Sequence, residues 1–79
     1  MTYRVKELVL DSQEAKCHGT FGTEGEAKMC LARVLDEAFD GQDVEPSAVR
    51  QLIEDAMHNG YHHFREHGRV TRWYMIERD

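Results

Sequence analysis

Thr23-Glu24-Gly25-Glu26 stands at the head of a run in which apolar residues recur every three to four positions. That combination points to a helix. The Thr23 hydroxyl can accept from the Glu26 amide while the Glu26 carboxylate reaches back to the Thr23 amide, so two otherwise unpaired donors are satisfied. Ala27, Cys30, Leu31, Val34, Leu35, Ala38 and Phe39 then form one stripe, the width of a half-buried helix face. Asp40-Gly41 offers the stop, with Gly41 suited to the left-handed position after the last turn.

A helix with one apolar stripe needs a surface to cover, and its flanks supply strands. Residues 3–10 alternate Tyr3 and Val5 with Arg4 and Lys6 before Leu8-Val9-Leu10. Residues 11–14 are polar and turn-prone. Residues 15–22 form a weaker strand, with Cys17, Gly19 and Phe21 on one face and His18 and Thr20 on the other. The gap is short enough for an antiparallel hairpin. Residues 69–77 (Arg-Val-Thr-Arg-Trp-Tyr-Met-Ile-Glu) are the clearest strand, with Val70, Tyr74 and Ile76 facing one way and Thr71, Trp73 and Met75 the other.

The stretch before that last strand is ambiguous. Pro46 fits the first turn of a second helix. Its stripe (Val49, Leu52, Ile53, Ala56, Met57, Gly60, Tyr61, Phe64) stays in register to Phe64, which predicts one helix over 46–66 ended by Gly68. The alternative stops the helix at Asn59 and makes a β-hairpin of 61–66 and 69–76 around His67-Gly68. Stripe continuity favours the long helix. The expected fold is therefore α+β: a three-stranded antiparallel sheet with two helices on one face, in the order ββααβ. Seventy-nine residues make a single domain, 1–79.

Charge narrows the partners. The formal charge is −5, and residues 24–55 hold nine acids against three bases. Residues 56–79 hold four Arg, three acids and four of the five His, so that end is mildly basic and titratable near neutrality. No apolar run approaches the roughly 18 residues of a membrane span, and the opening residues show no signal-peptide core. No membrane role and a cytoplasmic location are expected. Two cysteines, Cys17 and Cys30, at positions expected to be apolar, are read as buried free thiols rather than a disulfide framework.

Catalytic patterns are missing. Ser12 and Ser47 fall in a turn and a helix start, Cys30 sits on the packing stripe, and Gly19, Gly22 and Gly25 lack the strand–loop–helix setting of a phosphate cradle. A non-enzyme without a cofactor is expected. On a continuous second helix Glu54, His58 and His62 would line one edge at i, i+4, i+8, the basis of an alternative His-based metal-binding role. The plainer reading is a solvated helix face. A second alternative is a winged-helix-like DNA-binding regulator, with Arg65, Arg69 and Arg72 among Tyr61, Trp73 and Tyr74. Glu54 and Asp55 on the would-be recognition helix, and the overall negative charge, argue against direct nucleic-acid contact.

The most suggestive cluster is Asp36, Glu37, Asp40, Asp43 and Glu45 at the helix–helix bend. It can be a plain solubilising surface, or a patch that steers a basic partner. Asp36, Glu37, Asp40 and Asp43, together with an exposed surface of Tyr61, Arg72 and Trp73, are the candidate partner-binding residues. The partner is expected to be a protein, and the chain itself a monomer or a homodimer, since Trp73 and the edge strands need cover.

In its size, its opening Tyr3-Arg4-Val5-Lys6-Glu7 strand, its capped Glu26-Ala27 helix and its negative charge, the chain resembles small accessory proteins of phages and mobile elements, including anti-CRISPR inhibitors. The resemblance implies a non-enzymatic inhibitor of a larger nucleic-acid-handling complex. It carries no site residues with it.

Overall fold

The computed structural model describes residues 1–79 and runs β1 (Tyr3–Val9), β2 (Glu14–Phe21), α1 (Glu24–Phe39), α2 (Pro46–Asn59), β3 (Tyr61–Glu66) and β4 (Arg69–Arg78). The sheet is antiparallel throughout, with strand order β2-β1-β4-β3. The expected three-stranded ββααβ plan is thus corrected to four strands in the order ββααββ. The residue that overturns it is Gly60, which takes φ +83° and ends α2 as its cap, its amide donating to the Ala56 carbonyl at 2.7 Å. A left-handed residue cannot lie inside a right-handed helix. His67 (φ +51°) and Gly68 (φ +79°) then both adopt positive φ and close the β3–β4 hairpin, the two-residue turn that matches strand twist.

The capped helix forms where its signature placed it. Thr23 Oγ1 accepts from the Glu26 amide at 3.3 Å, but the Glu26 carboxylate accepts from the Thr23 hydroxyl at 2.9 Å rather than from the Thr23 amide. Gly41 adopts φ +89° just past the helix end.

Direct cross-strand partners point to one face of a sheet. Val5 pairs with Ile76, Glu7 with Tyr74, and His62 with Tyr74, so these side chains share the helix-covered face. There α1 packs on β1, β2 and β4, and α2 packs on α1 and the β3 edge. Val5, Ala27, Cys30, Leu31, Val34, Leu35, Phe39, Ala56 and Tyr74 form the buried core, ringed by Tyr3, Phe21, Ala38, Val49, Ile53, Phe64 and Ile76. α2 contributes only Ala56 to the fully buried set, and Leu52 from its expected stripe is exposed. The opposite sheet face has no layer over it.

Candidate functional site

Two surfaces emerge. The first is a groove of about 750 Å³ where α1 turns into α2. Phe39, Val44, Pro46, Val49 and Ile53 supply its apolar lining, and Asp36, Glu37, Asp40 and Glu54 its acidic margin, with Arg50 the one base. The bend makes this arrangement. Asp36, Glu37 and Asp40 lie on the solvent side of the last turn of α1, while Phe39 points inward. The short 40–45 link folds α2 back so that Glu54 joins them. Asp36, Glu37 and Asp40 are therefore brought together as expected. Asp43 stays exposed on the link, outside the lining. Glu54 was legible as an acid, but only the fold places it on this margin.

The second surface is the uncovered sheet face. Strand alternation puts Tyr61 and Trp73 on it, with ring contacts through His63: Tyr61–His63 at 5.2 Å and His63–Trp73 at 4.6 Å, edge-on. Arg72, grouped with them from sequence, is directed to the other side. Its guanidinium lies 4.7 Å over the Phe64 ring and donates to the Tyr74 hydroxyl at 3.3 Å. The pKa of Tyr74 is raised, first by desolvation and then by the negative charge of Glu7, with Arg72 acting in the opposite direction.

The histidines disperse. Glu54 lines the groove, His58 borders a small recess beside Tyr3 and Arg78, and His62 packs against Phe39 and Phe64 at ring distances of 5.5 and 4.8 Å. The i, i+4, i+8 row that a metal role required is broken at Gly60, and no group of three or more His, Cys, Asp or Glu side chains is placed to hold an ion. His62 has a lowered pKa, because burial disfavours its charged form and His63 adds a smaller repulsion. Both cysteines are free. Cys30 is buried as expected, but Cys17 is exposed, a correction traced to the β1–β2 register. Between Val5↔Gly19 and Lys6↔Cys17 the register slips by one residue, so His18 bulges and Cys17 moves to the uncovered face.

α2 followed by the β3–β4 hairpin has the chain order of a recognition helix and wing. Here, however, α2 exposes Gln51, Glu54 and Asp55 beside Arg50, and the hairpin is built into the four-stranded sheet rather than standing free. No helix is long and apolar enough to cross a membrane. No protein-family model, curated protein or solved structure matches the chain.

Proposed function

We propose that the chain is a non-enzymatic docking module that holds a basic, amphipathic segment of a protein partner in the α1–α2 groove and so keeps that partner from nucleic acid. The observation that carries this is the groove itself: an apolar floor of Phe39, Val44, Val49 and Ile53 beneath the carboxylates of Asp36, Glu37, Asp40 and Glu54. Apolar contact supplies affinity, and the carboxylates steer a cationic ligand and select it over neutral ones. Carboxylates gathered at one bend also present negative charge in the way a phosphate backbone does, which suits an inhibitor of a nucleic-acid-handling complex. The likeness to phage-encoded inhibitors supports the same reading through size, charge and the capped helix. Two free thiols agree with a cytoplasmic setting.

The test is binding of a fluorescent Lys/Leu amphipathic peptide to the wild-type chain and to the triple variant Asp36→Lys, Glu37→Lys, Asp40→Lys. The association rate should fall at least about tenfold in the variant and fall with salt in the wild type. An association rate indifferent to both would reject the groove as the docking site. A duplex-DNA shift assay at low salt addresses the regulator reading, which predicts a retarded complex that the docking reading does not.

A further inference from the structure

The uncovered sheet face gathers large apolar side chains that no element of the fold protects. Leu8 on β1 pairs with Trp73 on β4, Trp73 pairs with His63 on β3, and Met75 pairs with Tyr61. Trp73 is 37% and Tyr61 45% exposed. Ala15 and Cys17, opposite Leu8 and Lys6, extend the patch on β2. At one end the charges are already matched. Glu77 lies 3.7 Å from Arg4 and 3.1 Å from Lys6, and Asp79 also pairs with Arg4. Aromatic and Met side chains in the centre with ion pairs at the margin is the make-up of a protein interface.

We propose that this face binds a second copy of the chain, sheet against sheet, as an isologous dimer. Charge selects that occupant. The molecule as a whole is at −5, and the helix layer holds most of that excess, so two copies approaching through their helices repel. The sheet face is different: Arg4 and Lys6 are balanced by Glu77 and Asp79, and no cluster of acids lies among them. It is the part of the surface where like copies meet without opposing fields. A polyanion gains little there, because Arg4 and Lys6 are already paired. Four strands at ~4.8 Å and about six residues at ~3.3 Å give a face of about 19 by 20 Å. Two copies therefore cover about 800 Å² of flat sheet in total before side-chain relief is added, below the ~1,200 Å² at which stable specific interfaces begin and within the range of weak, transient ones. That size fits a reversible dimer. Packed at about 10 Å, the two sheets would seal Leu8, Trp73, Met75 and Tyr61 between them and leave both acidic grooves facing outward.

The sheet face lies on the opposite side of the fold from the groove, and one experiment separates their roles. Sedimentation equilibrium of the full chain from about 1 to 500 µM should show the mass rising from 9.2 kDa toward twice that value. Emission of Trp73, the sole tryptophan, should shift to the blue in step. Trp73→Lys should remove the rise. Tyr61→Lys should weaken it at least about tenfold, and its greater exposure makes it the variant to read if Trp73→Lys fails to fold. Asp40→Lys should leave it intact. A constant 9.2 kDa over the whole range overturns the proposal. So does a dimer untouched by Tyr61→Lys, or a monomer whose Trp73 emission is quenched by oligo(dT), which would make the face a base-stacking platform instead.

Discussion

His18 Nε2 lies 2.7 Å from Glu7 Oε1, and the contact exists because β2 carries one residue too many opposite β1. The bulge turns His18 toward the helix-side face, where its ring also stacks 6.3 Å from Tyr74. Both side chains are about five-sixths covered, at 16% and 15% exposure, so little water competes for their hydrogen bond. His18→Ala should cost about 1–2 kcal/mol in urea unfolding. A double-mutant cycle with Glu7→Ala should return most of that as coupling, whereas Thr20→Ala on the same strand should change little.

Acid should loosen the fold through His62. Its folded-state pKa lies below the ordinary 6.5, because the ring is wedged against Phe39 and Phe64. As the pH drops through 6.5 the unfolded chain takes up the proton first. The contribution of His62 is therefore complete above 6.5, declines as the pH falls through the lowered folded value, and changes no further below it. Melting temperatures at pH 7.5 and 5.0 should differ more in the wild type than in His62→Phe, since the other four histidines are common to both chains.

Gly60 decides whether the chain turns from helix to strand. Ala at φ +83° should cost about 1–2 kcal/mol, and Asn, which tolerates that region better, should cost less. Urea titration should show the midpoint falling with an unchanged slope. Equal stability of Gly60→Ala and wild type would mean that α2 continues through this position.

The thiols should differ sharply in reactivity. Intact-mass analysis after iodoacetamide treatment should find one label, on Cys17, under native conditions, and a second on Cys30 only when urea is added. Two labels without denaturant would contradict the burial of Cys30 on the inner face of α1.

The sequence carried α1 and the existence of β4 because their signals are redundant. A capping pair, a seven-residue stripe and a terminal Gly agree for α1, and a β-rich run with apolar side chains on both faces marks β4, although the register slip between Phe64↔Arg72 and Arg65↔Val70 was not legible. Residues 60–67 lack that redundancy. Gly60, Tyr61 and Phe64 continue the helical stripe of α2 by spacing alone, and so short an apolar run fits either period. In the strand it is His62 and Phe64 that turn inward, a pairing hidden by the polar name of histidine. The mixed surface of Tyr61, Arg72 and Trp73 failed for a related reason, since neighbours on a strand face apart. The groove was half legible: the acids of the bend could be read, but the Phe39, Val49 and Ile53 floor depends on the angle at which α2 folds back.

β1 and β4 lie side by side at the middle of the sheet, with Tyr3 opposite Arg78 and the Asp79 amide donating to the Thr2 carbonyl at 3.0 Å. The innermost pairing thus joins the segments most distant along the chain. Neither hairpin alone can bury Val5 or Tyr74. The largest loop-closure entropy must be met before the core gives anything back, so a nascent chain should stay open until its final strand emerges and then fold in a single cooperative step.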